Sequence, residues 1–233
     1  MNILITGASR GIGAAAFDLL KSRGHNVVGH STRGGNDLIA ADLMDPDAPR
    51  AIWGGALARL EGRVDTLVNN AGVYEAVDAG SPDGEWRSAW QRTMQINVQA
   101  PADLCRLAVA HFRELGGGRI VNVTSRAGWR GDSPQHWHYA ASKSALIGMT
   151  KTIARAYAAD GILAFGVAPG FTVSEMTEEY LEGRGGAQII ADIPLGRVAS
   201  TNEVAEVIRW LATEAPPSST GSTIDVNGAS YVR

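Results

Sequence analysis

Tyr139 and Lys143 stand four positions apart in Tyr139-Ala140-Ala141-Ser142-Lys143, downstream of Ser125 in the run VNVTS. On a helix, residues at i and i+4 share a face, so this spacing brings an ammonium within reach of a phenol. A free phenol has a pKa of about 10 and exchanges few protons near neutrality. A fixed cation beside it favours the phenolate and lowers that value. A drop of roughly 3 units would correspond to about 4 kcal/mol. Such a tyrosine could act as an acid or base at pH 7. The same pair also suits an ordinary helix with a packed ring and a solvated ammonium, so the elements that position it must decide.

The first of those elements lies at the N-terminus. Ile3, Leu4 and Ile5 form a short apolar run that ends in Thr6-Gly7-Ala8-Ser9-Arg10-Gly11-Ile12-Gly13 and passes into AAAFDLLKSRG, which reads as strand, glycine turn and helix. Gly7 permits a tight turn, Gly11 lets a pyrophosphate approach the backbone, and Gly13 lets the helix pack closely. The helix N-terminus contributes N–H donors and a positive dipole end. The spacing is G-x-x-x-G-x-G, distinct from the usual G-x-G-x-x-G fingerprint.

Further apolar runs, HNVVGH, DLIAADL, VDTLVNN, GRIVNVTS, GILAFGVAP and STIDVNG, alternate with amphipathic stretches at about 11–23, 46–60, 85–114, 139–159 and 200–213. Continuous apolar strands separated by helices imply a parallel sheet covered on both faces. The expected fold is one α/β domain over 1–233, a doubly wound, Rossmann-like parallel sheet with helices on both faces. Its ligands would bind beyond the carboxyl ends of the strands. Gly7, Asn69 to Gly72, Ser125 and Pro169-Gly170 all fall there.

Composition narrows the function. With 233 residues, a net charge of −3 and a pI near 6.0, the chain has no electrostatic footprint for nucleic acid or anionic membrane. No apolar stretch approaches the ~18 residues of a membrane span, and the first strand follows Met1 directly, so a cytoplasmic location is expected. Cys105, the single cysteine, reads as a small buried hydrophobe. The histidines lack metal-ligand spacing and no metal site is expected.

The ordered set TGASRGIG at 6–13, NNAG at 69–72, Asn97 in QIN, Ser125 in VNVTS, YAASK at 139–143 and Pro169-Gly170 resembles the short-chain dehydrogenase/reductase family across essentially the whole chain. PGFTVSEMT, IPLGRVAS and DVNGASY are most similar to its 3-oxoacyl-carrier-protein reductase branch. The resemblance implies that Tyr139 is the general acid or base for a carbonyl/alcohol pair, with a contribution of typically ~10²–10⁴-fold. It implies that Lys143 lowers the tyrosine pKa and binds the nicotinamide ribose. Ser125 would hydrogen-bond the reacting oxygen, and Asn97 would hold a water that relays protons to Lys143. The cofactor would contact Gly7, Ser9, Arg10, Gly11, Ile12 and Gly13, then Ser31, Thr32 and Arg33, then Asp42 and Leu43. Asn70, Ala71 and Gly72, Tyr139 and Lys143, and Pro169, Gly170, Thr172 and Ser174 complete that set.

Cofactor choice turns on the end of the second strand, where an acid bonds the ribose 2′-OH of NAD and an arginine accommodates a 2′-phosphate. Ser31 occupies the acid position, Thr32 and Arg33 follow, and no carboxylate comes before Asp37. NADP(H) is therefore expected, with NAD(H) the alternative.

Gly116 and Asp160 stand where carrier-protein reductases tend to present basic residues, which argues against docking of an acidic carrier protein, although Arg113 and Arg119 could compensate. The loop from Ser125 to Tyr139 spans 14 positions and carries Trp129, His136, Trp137 and His138, which suggests an aromatic wall for a ring or planar carbonyl compound, or tryptophans that pack the loop down. Phe165 replaces a common Asn. Residues 171–195 form the expected substrate lid, whose Glu175, Glu178, Glu179 and Glu182 read as a solvated face. Resemblance also implies a homotetramer built on 85–114 and 139–159. The expected function is NADP(H)-dependent reduction of a free small-molecule carbonyl. The alternatives are 3-oxoacyl-carrier-protein reduction and a non-catalytic nucleotide-binding scaffold.

Overall fold

The seven apolar runs become seven strands in the computed structural model, which describes residues 1–172 and 186–233, the side chains of 187 and 189 excepted. The strands are β1 (Asn2–Ile5), β2 (Asn26–Ser31), β3 (Leu38–Ala40), β4 (Thr66–Asn69), β5 (Gly118–Val123), β6 (Ile162–Pro169) and β7 (Thr223–Val226). They form one parallel sheet in the order β3-β2-β1-β4-β5-β6-β7. The strand order reverses between β1 and β4, so a crevice opens beyond their carboxyl ends.

Period-two alternation sends neighbouring side chains to opposite faces. Ile3, Ile5, Val68 and Val121 face one layer, where α1 (Gly11–Ser22) brings Phe17 and Leu20 and the helix Thr201–Thr213 brings Val204, Ile208 and Leu211. Leu4, Leu67, Ile120 and Ile162 face the other, against Ile52 and Trp53 of α2 (Ala48–Arg59) and Leu104 and Phe112 of the helix Ala100–Leu115. Each large buried side chain contributes roughly 1.5–3 kcal/mol of burial, and this pairing of faces explains why the strands read as unbroken apolar runs.

The remaining helices, numbered in chain order, are α3 (Asp83–Met94), α4 (Ala100–Leu115), α5 (Ala127–Arg130), α6 (Trp137–Tyr157), α7 (Gly186–Ala191) and α8 (Thr201–Thr213). The stretch expected as one helix over 85–114 is broken by a π-turn at Gln95–Gln99. The widened turn sets Asn97, fully buried, against the chain beyond β4. The third strand is shorter than DLIAADL suggested, because the Asp42 carboxylate accepts the Met44 N–H at 3.0 Å and turns the chain. A buried polar ladder then fixes α6 over the sheet: Asn69 Nδ2 donates to Asn122 Oδ1 at 2.9 Å, and Asn122 Nδ2 to Thr150 Oγ1 at 2.8 Å.

Candidate active site

The glycine turn is built for close approach. Gly7 and Gly11 have φ of 68° and 58°, in the left-handed region that favours glycine. A Cβ on Gly13 would lie 2.1 Å from the Gly7 carbonyl oxygen and 2.4 Å from Asn70 Nδ2, whereas one on Gly11 would meet nothing within 4 Å. Gly13 thus packs the helix onto its own turn, and Gly11 leaves open space at the helix end. Asn70 holds the turn from behind, donating from Nδ2 to the carbonyls of Thr6 and Gly7, both at 3.0 Å. His30, which the sequence reading passed over, supports it from β2: its Nδ1 lies 3.4 Å from the Gly7 amide nitrogen. The first turn of α1 carries neither a side-chain cap nor an acidic residue. In contrast, Ser200 and Glu203 close a capping box on α8. An uncapped N-terminus with its dipole intact suits an anion.

From this turn a cleft of about 960 Å³ runs along the carboxyl edge of the sheet. Every expected cofactor residue except Arg33 and Ser174 lines it, as do Ser125, Tyr139 and Lys143. Arg33 is exposed and outside that lining, and Ser174 lies outside the described residues. Arg10 is exposed on the cleft. The Ser31 hydroxyl accepts the Gly34 N–H at 3.0 Å, and Asp37 is paired with Lys21 at 2.6 Å.

Tyr139 and Lys143 sit on one face of α6, the ammonium 5.6 Å from the ring centre. The sequence led us to expect a lowered tyrosine pKa, and the structure has the opposite sign. Burial pushes the phenol up to about 12, with the Ser125 hydroxyl pulling partly back. The reason is that Lys143 Nζ donates to the Val123 carbonyl at 2.9 Å, and burial pushes that amine down to about 8. Desolvation of both groups outweighs a cation held at this distance.

Asn97 does not line the cleft. Its Oδ1 accepts the Val73 N–H at 2.8 Å, and its Nδ2 donates to the Val73 carbonyl at 3.0 Å and to Ser142 Oγ at 3.1 Å. A Cβ on Gly72 would lie 3.2 Å from Asn97 Oδ1 and 3.5 Å from Lys143 Nζ, so both groups close in on that glycine. Ser142, whose Oγ also donates to the Tyr139 carbonyl at 2.7 Å, is a further residue the sequence reading missed.

The aromatic wall is only partly the one expected, His136 contributing and the two tryptophans not. Trp129 packs away from the cleft, its ring 4.5 Å from both Lys151 Nζ and Arg233 Cζ. Trp137 is exposed and meets the edge of Trp86 at 5.4 Å. Tyr74, five residues past Asn69, lines the cleft instead. Its ring stacks on His136 at 3.9 Å and meets Tyr139 edge-on at 4.7 Å.

Elsewhere, Arg113 is bound to Asp160 at 2.7 Å, and Arg119 donates to the carbonyls of Leu211 and Ala215, so neither is a free cation. Cys105 is buried, its thiol pushed up to about 12 by burial. Among the described residues no three His, Cys, Asp or Glu gather as a metal site, and no helix is long and apolar enough to cross a membrane. Residues 173–185 of the expected lid, with all four glutamates, lie outside the described residues.

The family model described as short chain dehydrogenase matches residues 1–185. The chain is 33% identical to a 3-oxoacyl-(acyl-carrier-protein) reductase of Salmonella typhimurium, with 98% of this chain and 96% of that protein covered. It is 33% identical to an acetoacetyl-CoA reductase of Rhizobium meliloti (98% and 97% covered) and 35% identical to nodulation protein G of Rhizobium sp. (97% and 94% covered). With a parallel sheet, a glycine turn at its switch point and a match over most of its length, the chain belongs to the short-chain dehydrogenase family and is an oxidoreductase acting on the CH–OH/C=O pair.

Proposed function

We propose that the chain uses NADPH to reduce the carbonyl of a small molecule, with Tyr139 as the proton donor. The observation that carries this reading is the single cleft with an uncapped glycine turn at one end and Ser125, Tyr139 and Lys143 at the other. The cradle fits a dinucleotide: Gly7 and Gly13 allow the tight turn, and the space beside Gly11 at the start of α1 is open. When bound, the nicotinamide supplies or accepts the hydride. Tyr139 holds a proton at Oη to deliver to the substrate oxygen, Ser125 donates to the same oxygen, and Lys143 holds the ribose. Asn97 positions Val73 and Ser142 behind them. A water held for Lys143 would use its second Oδ1 lone pair.

NADPH is favoured over NADH by what surrounds the end of β2. Arg10 lines the cleft, Ser31 stands where an acid would bind a free 2′-OH, and Asp37 is engaged by Lys21. A second reading, reduction of a 3-oxoacyl group on a carrier protein, is favoured by the names of the relatives. The Arg113–Asp160 pair supports the free small molecule. Much faster turnover of an acyl group on a carrier protein than on a small thiol would decide for the second reading. We also infer a cytoplasmic homotetramer, testable as a light-scattering mass four times the 24.5 kDa chain.

Tyr139→Phe tests the proton donor. Ketone-dependent NADPH oxidation is expected to fall by at least ~10²-fold while NADPH binding survives. Unchanged turnover would refute the assignment.

A further inference from the structure

Tyr74, in the loop beyond β4, is 46% exposed. Among the described residues it is the one exposed large apolar side chain that lines the cleft, since Met1, Met44, Trp137, Ile190, Leu195 and Val232 all stand outside that lining. A single exposed ring on a protein surface needs no explanation. A ring held rigid at the edge of a proton donor does.

Several contacts fix it. One face of the Tyr74 ring stacks on His136, with centroids 3.9 Å apart and planes within 5°. His136 is itself buried and shares a hydrogen bond of 2.6 Å with the Ser133 hydroxyl. The Tyr74 hydroxyl donates to Asp132 Oδ1 at 3.4 Å. Next along the chain, Glu75 pairs with Arg92 at 3.0 Å, and the Val77 N–H donates to the Gln135 carbonyl at 3.0 Å, which ties the loop after β4 to the loop before α6. The ring is therefore ordered in the free protein, and a group that packs on it bears little further ordering cost.

The wall around Tyr74 favours an uncharged group. Arg92 also lines the cleft but is neutralised by Glu75. The Asp132 carboxylate acts on both Tyr74 and Tyr139, which disfavours an anion there, and it already accepts from the Ser133 N–H at 2.7 Å. Val73, beside Tyr74 in the lining, adds apolar surface. Aromatic rings pair in offset or edge-to-face arrangements with centroids about 4.5–7 Å apart. Tyr74 meets Tyr139 edge-on at 4.7 Å, so a ring packed against Tyr74 would bring a carbonyl attached to it close to the proton donor.

We propose that Tyr74 determines substrate specificity by receiving an uncharged aryl group next to the reacting carbonyl, so that the preferred substrate is an aryl-substituted ketone. This rests on the reductase reading for the chemistry and on the Tyr74 geometry for the ring. It is tested with phenylacetone, cyclohexylacetone and butanone as substrates for NADPH oxidation by the wild type, Tyr74→Phe and Tyr74→Leu. The carbonyl of all three is unconjugated, so they differ chiefly in the group offered to Tyr74. Burial of the ring predicts that kcat/KM of the wild type for phenylacetone exceeds that for butanone by at least ~10-fold. Equal values overturn the proposal without reference to any variant.

The ratio of kcat/KM for phenylacetone to that for cyclohexylacetone isolates the contact between rings. It should fall roughly 2–10-fold in Tyr74→Leu and be kept in Tyr74→Phe. An unchanged ratio in Tyr74→Leu refutes the assignment, as does a loss that is the same for all three ketones, the mark of a purely structural role. If none of the three is reduced, the reductase reading fails. Dissociation constants of phenylacetone and cyclohexylacetone, from ligand-observed NMR titration of the full chain, then decide the Tyr74 assignment: a ratio lowered in Tyr74→Leu supports it and an unchanged ratio overturns it.

Discussion

At the residue scale, the buried pair on α6 carries a stability consequence. Burial lowers the Lys143 pKa from 10.5 to about 8, so at pH 7 the fold holds a charged amine at a cost of about 3 kcal/mol. Between pH 8 and 10.5 the unfolded chain binds the proton that the folded chain has released, so stability attributable to this group rises with pH. Below about pH 8 the full cost remains. Tyr139 and the buried Cys105 thiol have the opposite sign, with stability lost as pH climbs from about 10 to 12 and from about 9 to 12 respectively, so the window from 8 to 9 isolates the lysine. Lys143→Met should therefore be about 1–3 kcal/mol more stable than wild type at pH 7, after the unpaired Val123 carbonyl is counted, yet inactive. Urea denaturation at pH 7 and at pH 9 checks this. A variant less stable at both values would mean that the hydrogen bond to Val123 outweighs the buried charge. A residue that costs stability in the resting chain is one kept for its chemistry.

At the element scale, two helices with opposite N-termini show what local sequence makes legible. The α1 turn could be read in advance because each glycine answers a geometric need: positive φ at Gly7 and Gly11, close contact at Gly13. The π-turn at Gln95–Gln99 could not, since its cause is tertiary: Asn97 finds partners on Val73 and Ser142, far away in sequence. Tyr74 was missed for the same reason, as its stacking on His136 joins two loops that sequence does not connect. The contrast between α1 and α8 can be measured. Gly13→Ala forces a methyl against the Gly7 carbonyl and should cost about 1–3 kcal/mol or more while sharply weakening NADPH binding. Ser200→Ala removes the capping box, worth about 1 kcal/mol, and should lower Tm by roughly 2–4 °C with NADPH affinity unchanged. Equal affinity losses in the two variants would show that α1 has no special part in cofactor binding.

At the scale of the whole molecule, doubly wound topology gathers the ends of β1, β2, β4, β5 and β6 around one cleft. That is why motifs scattered from Gly7 to Thr172 could be assigned to one site before any contact was known, while the ranking of residues within it could not. Sequence puts Arg33 first as the partner for a 2′-phosphate, at the end of the second strand, with Arg10 in the glycine turn as a second cation. The fold separates them, because Arg10 rides on the turn that lines the cleft and Arg33 stands outside it. Thermal stability reads this difference across the entire chain, since a ligand that binds only the folded state at ~100 times its Kd adds about 2.7 kcal/mol. In a chain of this size that raises Tm by roughly 5–10 °C. Arg10→Ala should remove most of the shift given by NADPH and leave that given by saturating NADH intact, whereas Arg33→Ala should reduce the NADPH shift only partly. If Arg10→Ala lowers both shifts equally, Arg10 serves the shared pyrophosphate, and the preference for NADPH must come from another residue near β2.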